Sequence, residues 1–301
     1  MDLPWAPLRA AAKTLYALVR FFVRLWDLMK VGRYYLYVFE HQAFPYLPVF
    51  LEKIAKRINA NMLLEFDDAI FFTPLHKRKI PKIIAMSQHV IVGNNYLKDY
   101  ALKFNPHVSV IPTVVDTERY KPKEDYRAQG QVNIGWVGLA YNLPYVRRLE
   151  GTFLKLKAEV GDFIFTVISS KGLRIDGVEI VFKPWSYNNE GEDIRSLDIG
   201  IMPLPNDEWA KGKCGLKVLQ YMACGVPVVA SPVGVNQDII KDGENGFLAA
   251  KEDEWADKLT LLLNDETLRR TLGQEGRKTV EHHYSLKLWG PKVASLYKNL
   301  P

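Results

Sequence analysis

Strand-length apolar runs, four and then five, separated by helix-length stretches, constrain this chain more than any other feature. The first series reads Tyr34–Phe39, Met62–Phe66, His89–Gly93 and Val108–Pro112. The second reads Val132–Gly138, Phe163–Ser169, Val178–Phe182, Ile199–Met202 and Val226–Ala230. Apolar runs of this kind suit strands covered on both faces, and parallel neighbours need a crossover, usually a helix. The pattern predicts an α/β protein of two facing Rossmann-like domains with parallel sheets, and ligands beyond the carboxyl ends of the strands. Helices are expected over Pro48–Ile58 and over Tyr96–Phe104, the second capped by Asn94. Lys121–Gln131 is polar, holds Pro122 and Gly130, and reads as the linker.

A length of 301 residues is enough for two cores. The formal charge of +6 suits a solvated basic surface, a phosphate-bearing substrate or an anionic membrane. No basic run interleaved with stacking aromatics is present, so nucleic acid is not an expected partner. The cysteines, Cys214 and Cys224, form neither CxxC nor a Cys/His cluster. No disulfide framework or zinc site is expected, and a reducing cytoplasm fits.

Residues 3–31 contain no uncharged stretch long enough to span a bilayer, and charges break any signal-peptide core. On a helix, Arg9, Lys13, Arg20 and Arg24 form a basic stripe. Trp5, Leu8, Leu15, Leu18, Phe22, Leu25, Trp26 and Met29 cover the remaining circumference. Two readings stay open. The helix lies on an anionic membrane, or it packs on a sheet with its arginine stems reaching water.

Lys213–Ala230 reads as loop, helix, turn and strand. Gly212 and Gly215 let backbone approach a ligand closely, and Gly225 suits the position just past the helix end. First-turn amides at Gly215, Leu216 and Lys217, with Lys213 and Lys217 beside them, make a candidate diphosphate site. Lys217, Gln220, Tyr221 and Cys224 share one helix face by spacing. An ordinary α/β helix with surface lysines is the competing reading.

The run Gly-Leu-x-x-Leu-x-x-Met-Ala-Cys-Gly-x-Pro-Val-Val-Ala-Ser-x-x-Gly starts at Gly215. Asp238-Ile239-Ile240, Asp242-Gly243 and Asn245-Gly246-Phe247-Leu248 follow it. Together they resemble the family 4 (group 1) glycosyltransferases. Weaker likeness runs through Ile134–Gly138, Leu197–Pro203, Val110–Asp116, Phe66–Ala69 and His283-Tyr284-Ser285. The resemblance implies a GT-B fold and a nucleoside-diphosphate sugar donor. It also implies retention at the anomeric carbon, and neither a cofactor nor a metal. By this likeness residues 1–121 form the acceptor-side domain and 122–285 the donor domain. Residues 286–301 form a helix crossing back to the first.

Two departures stand out. The family carries two glutamates around this helix start, where this chain has Gly212 and Gln220. Gln220 can still bond ribose hydroxyls. Asp207 or Glu208 is the candidate to replace the carboxylate lost at Gly212. After Gly138 the family places basic residues that hold the diphosphate, where this chain has Leu139 and Tyr145. Lys213 and Lys217 are the candidates to take that charge. Cys214, Gly215 and Leu216 line the same expected donor site, and Trp185 is a candidate stacking surface for the base. On the acceptor side Glu40, Asp67 and Asp68, with His41 among them, follow strands. Asp67 or Asp68 is expected to polarise the acceptor or steady the developing positive charge, with helix capping the competing reading for each carboxylate. His89, His107, His282 and His283 are expected to be structural.

The family's opening strand and glycine-rich loop are not found, so the first domain is expected to be shortened. Either the chain lacks that portion or its acceptor domain is divergent. Tyr34–Phe39 would then be an open edge for a partner chain. The expected function is transfer of a sugar from a UDP- or GDP-linked donor to a cell-envelope polysaccharide or lipid-linked acceptor. The expected place is the cytoplasm, peripheral at the inner face of the membrane. The alternatives are a catalytically weakened sugar-nucleotide-binding module, or an epimerase or phosphorylase on the same fold.

Overall fold

A computed structural model describes residues 6–44, 47–74, 76–128 and 130–299. Trp5 and the side chains of Leu8, Arg9 and Lys13, four of the expected stripe residues, lie outside the described residues. The chain divides into two compact units that meet in sequence at Ile111 and Pro112, the second running to Asn299.

Unit 1 runs through α1 (Ala6–Lys30), β1 (Tyr37–Glu40), α2 (Phe50–Ile58), β2 (Met62–Phe66), α3 (Ile80–Met86), β3 (His89–Val92), α4 (Asn95–Ala101) and β4 (Val108–Val110). Its sheet has the order β1-β2-β3-β4, every pair parallel. Met62, Leu63, Leu64 and Phe66 of β2 are buried, as a central two-faced strand requires. Asn94 caps α4 as expected, its side chain accepting from Leu97 N at 2.9 Å. The first strand starts three residues later than its aromatic run suggests. The carbonyls of Tyr34 and Tyr35 instead accept from the Asn59 and Asn61 side chains, each at 2.7 Å. A buried ion pair, Lys79 Nζ to Glu52 Oε1 at 2.7 Å, pins the segment after β1. Lys79 also donates to Phe44 O, and Phe44 N donates to Glu52.

Unit 2 contains β5 (Asn133–Val137), α5 (Leu143–Arg147), α6 (Glu150–Glu159), β6 (Ile164–Ser169), β7 (Glu179–Pro184), α7 (Glu190–Arg195), β8 (Ile199–Met202) and α8 (Glu208–Lys211). It continues with α9 (Leu216–Ala223), β9 (Val228–Ala230), α10 (Asn236–Ile239), β10 (Phe247–Leu248), α11 (Glu252–Asn264), α12 (Glu266–His283) and α13 (Leu286–Asn299). The strand order is β10-β9-β8-β5-β6-β7, all parallel. Chain order reverses between β5 and β8, and such a switch opens a crevice at the carboxyl ends of the strands. Gly138 lies directly beyond β5 at that switch.

Residues 121–128 of the polar segment read as the linker are anchored within unit 2. Lys123 N donates to Cys224 O at 2.9 Å, and Lys123 Nζ pairs with Asp198 at 3.0 Å. Tyr126 is buried. Arg277 ties the preceding residues down by donating to the carbonyls of Tyr120, Ala223 and Thr117.

Candidate functional site

The segment Gly212–Gly225 takes the expected path of loop, helix and turn. Gly215 caps the start of α9 with φ at 73°, a left-handed conformation that side chains resist. A Cβ there would come within 2.5 Å of Ile239 and 3.0 Å of Val235, so the turn is seated against the α10 region. Gly225 follows the helix with φ at 67°, as its position predicts. The first turn of α9 presents amides that no earlier turn can satisfy, the arrangement that accepts phosphate.

At the base of that turn sits a buried carboxylate that the motif does not contain. Glu190, first residue of α7, accepts from Tyr120 Oη at 2.7 Å and from Trp185 Nε1 at 2.9 Å. It also accepts from Gln220 Nε2 at 3.1 Å and Lys217 Nζ at 3.2 Å. Burial pushes the Glu190 carboxyl up. The Lys217 ammonium and the hydrogen bonds of Tyr120, Trp185 and Lys217 outweigh that and hold it below the usual range. Gln220 is buried as well, and accepts from Lys217 at 2.8 Å while donating to Tyr120 at 2.6 Å. Burial, then the Glu190 carboxylate, push the Tyr120 hydroxyl up, so it stays a donor. Lys217 itself is only half-buried, with its ammonium at the edge of the cluster.

Beside the cluster, at the carboxyl end of β7, aromatic surface is open. Trp185 and Tyr187 are exposed, and the Arg119 guanidinium lies 3.6 Å from the Tyr187 ring centroid. Ser169, at the end of β6, accepts from Trp185 N at 2.9 Å through its carbonyl. Its buried hydroxyl has no partner among the described residues.

The other expected donor residues fall out differently. Leu216 is exposed on the first turn of α9. Cys214 is buried, its thiol donating to Gly212 O. Lys213 is placed over the Trp209 ring, 5.9 Å from its centroid. Asp207 caps α8, accepting from Ala210 N at 2.8 Å, and Glu208 pairs with Lys211 at 2.6 Å. Of the face shared on α9, Lys217 and Gln220 reach the Glu190 cluster and the other two residues do not. Tyr221 accepts from Val137 N at 2.9 Å inside the core, and Cys224 is buried. Burial pushes the Cys224 thiol up to about 12, which removes it as a nucleophile. Residues of α12 cover this part of α9, with Gly273 and Gly276 in close contact with Gly225 and Met222.

In unit 1 the strand ends gather Glu40, His41, Glu65, Asp67 and Asp68. Glu40 and Glu65 are register partners across β1 and β2. His41 has φ at 61°, uncommon for a residue with a side chain, and its amide donates to Glu65 O at 2.7 Å. Its Nε2 lies 3.2 Å from Asp67 Oδ1. The Asp67 hydrogen bond raises the His41 pKa, more than burial lowers it. Glu65 is pushed up by burial first and then by Glu40 and Asp67. Strain of this kind clusters at functional positions. Among the described residues, no group of three or more His, Cys, Asp or Glu could hold a metal.

Two parallel α/β units with these strand orders give the GT-B fold. The structure of sucrose-phosphate synthase from Thermosynechococcus elongatus covers 93% of this chain and 77% of its own, with TM-score 0.70 and 19% identity. Anabaena HepE covers 92% and 81%, with TM-score 0.72 and 13% identity. Residues 192–279 then match the family model of glycosyl transferases group 1, which relates the chain to that group. The capsular polysaccharide biosynthesis glycosyltransferase CapM of Staphylococcus aureus is 37% identical over 81 residues, 26% of this chain and 21% of CapM. The chain spans less than half the length of the curated relatives it matches.

Proposed function

We propose that unit 2 binds a UDP- or GDP-linked sugar and that the protein transfers the sugar to a polysaccharide or lipid-linked acceptor, with retention. The observation that carries this reading is the first turn of α9. There the Lys217 ammonium stands at the mouth of the Glu190–Gln220–Tyr120 cluster, beside amides suited to phosphate. A diphosphate at Gly215, Leu216 and Lys217 would draw Lys217 from Glu190. Glu190 and Gln220 would then be left to accept and donate to ribose hydroxyls. Trp185 and Tyr187 offer the stacking surface for the base. HepE, of the same fold, is recorded in complex with UDP and glucose, which agrees with this class of ligand.

In the reaction, the donor's own phosphate oxygen takes the acceptor proton as the glycosidic bond breaks, with no covalent intermediate and no metal. Lys217, with Lys213 near it, stabilises charge growing on the leaving diphosphate. Gly138, packed against the Trp136 ring where a Cβ would not fit, lies at the end of β5 beside the donor. Asp67, Asp68 and Glu40, with His41, polarise the acceptor. The α1 helix rests on an anionic membrane, which suits a lipid-linked acceptor, and the β1 edge remains open to a partner chain.

An assay of donor hydrolysis and transfer with UDP- and GDP-sugars tests this. Slow hydrolysis that falls with Lys217→Ala supports it, and no turnover or binding with either class contradicts it. A second reading, a sugar-nucleotide-binding module without catalysis, is favoured by Gly212, Asp207 and Glu208. The first lacks a carboxylate and the other two are engaged in α8. Saturable nucleotide binding with no turnover would select it.

A further inference from the structure

The exposed side of α1 and the cleft beside it carry features that the donor site does not use. Tyr16, Val19, Val23 and Trp26 recur at spacings of three, four and three, and each is more than 50% exposed. Leu15, Leu18, Phe22 and Met29 widen the same sector and are at least 50% exposed. One stripe of this kind is what an interfacial helix presents to a bilayer. It leads to Lys30, whose ammonium lies 5.0 Å from the Trp26 ring centroid. No helix among the described residues is long and apolar enough to cross a membrane.

Lys30 also lines a cavity of about 360 Å³ between α1 and the edge strand β1. Arg24 lines it too, and so do Tyr37 and Gln42. Both of the latter are more than nine-tenths buried. The Tyr37 hydroxyl and the Gln42 side-chain oxygen have no hydrogen-bond partner among the described residues. Leaving a buried donor and a buried acceptor unmet is costly, and a ligand with both complements would meet them. Arg24 and Lys30, against the Asp27 carboxylate in the same lining, leave the cleft cationic by one charge, which sets the ligand's charge.

We propose that this cleft holds the headgroup of an anionic phospholipid bearing a free hydroxyl, a phosphoglycerol headgroup, while the stripe of α1 enters the bilayer. This inference rests on the membrane contact in the proposed function and names its lipid. The phosphate accepts from the Tyr37 hydroxyl and pairs with Arg24 and Lys30. A glycerol hydroxyl donates to the Gln42 oxygen. The cavity volume lies in the range that small ligands occupy. The described part of α1 and the turn after it carry Arg20, Arg24, Lys30 and Arg33 against Asp27, complementary to an anionic surface.

The test is flotation of the whole chain with vesicles of phosphatidylcholine alone, with added phosphatidylglycerol, and with added phosphatidylserine at equal charge. Binding to phosphatidylglycerol vesicles is expected to exceed that to phosphatidylserine about fivefold, the worth of about one matched hydrogen bond. Tyr37→Phe with Gln42→Leu removes that preference while general anionic binding persists. Val23→Ser with Trp26→Ser, on exposed positions, lowers binding to both anionic vesicles about tenfold or more. Free glycerol 3-phosphate competes for the preference only. If the paired Tyr37 and Gln42 variant loses its circular dichroism signature, Arg24→Gln replaces it and should erase the same preference. Equal binding to all three vesicle types, or no binding, overturns the proposal. So does self-association that Val23→Ser with Trp26→Ser abolishes in the absence of vesicle binding. Nucleotide calorimetry on the same variants should be unchanged. A chain that binds vesicles and no nucleotide sinks the donor reading alone.

Discussion

Glu190 in the second unit is enclosed by Tyr120, Trp185, Lys217 and Gln220, whereas Asp67 in the first faces water and meets His41. The enclosed carboxylate has its donors fixed by α9, by Trp185 just after β7 and by the segment before β5, because a buried charge without them would be expelled or protonated. The open one meets His41 at the surface, and that neighbour is held in a strained backbone instead. One unit therefore has a preformed polar site, ready for a ligand of fixed shape. The other has a set of titratable groups whose state follows pH and acceptor. Donor recognition suits the first kind of construction and handling of varied hydroxyl acceptors suits the second.

That contrast is most sharply broken at Lys217. Lys217→Ala removes the cation at the mouth of the cluster. Affinity for UDP or GDP by calorimetry should fall about 30-fold or more, the worth of one charged hydrogen bond. An unchanged affinity would mean the preformed cluster is structural only. Gly215→Ala should come next, costing about 1–3 kcal/mol in thermal or urea unfolding, because the left-handed turn gains a Cβ with no room beside Ile239. Its reversal by Ile239→Val would tie the loss to that contact. Glu190→Gln keeps the shape and removes the charge. We expect about a tenfold loss of nucleotide affinity, with thermal stability reduced less at pH 4 than at pH 7. The sign follows from the depressed pKa of Glu190. Its stabilising contribution is present above the ordinary glutamate value and fades as pH falls through the folded one.

The smallest effect belongs to the open cluster. An NMR titration should place the His41 pKa above its ordinary 6.5, and Asp67→Asn should bring it down. A raised histidine stabilises the fold fully below 6.5 and ceases to do so as pH rises through its folded value. The wild type and Asp67→Asn should therefore differ in stability at acid pH and converge at alkaline pH. A His41 titration that ignores Asp67→Asn would make the first unit's cluster as inert as a packed core.

Much of the framework was legible from residues alone. Met62–Phe66 and Ile199–Met202 appear as strands at the expected positions, because apolar runs bounded by turn residues leave few alternatives. Asn94 and Gly225 announced a helix start and a helix end through local chemistry. The two-residue β10 was not read, being too short to show any period. The polar composition of residues 121–131 reads as a linker, and the burial of Tyr126 within it is not visible from composition. Asp207 could have been read as a cap from its place before a helical stretch.

Glu190 is the residue that sequence reasoning missed. It stands in the acidic stretch Glu190-Gly191-Glu192-Asp193, and nothing local marks which carboxylate turns inward. Apart from Trp185, five positions before it, its partners are 70 positions before it and 27 and 30 after it. The available signal is Gln220, which stands where the family resemblance implies an acid. A carboxylate absent from one side of a polar cluster is reason to look for one on the opposite side. Likewise Lys217, Gln220, Tyr221 and Cys224 share a stripe by spacing. The fold turns Tyr221 into the sheet, buries Cys224 and leaves Lys217 at the edge.

Donor binding by unit 2, as proposed, turns on Lys217 reading the diphosphate at the start of α9. Calorimetry of UDP against UMP, with GDP against GMP beside it, measures that directly on the wild type and on Lys217→Ala. The diphosphate should bind the wild type about tenfold or more tighter than the monophosphate, and that advantage should largely vanish in Lys217→Ala. Equal affinity for diphosphate and monophosphate in the wild type, or an advantage that survives Lys217→Ala, would contradict it.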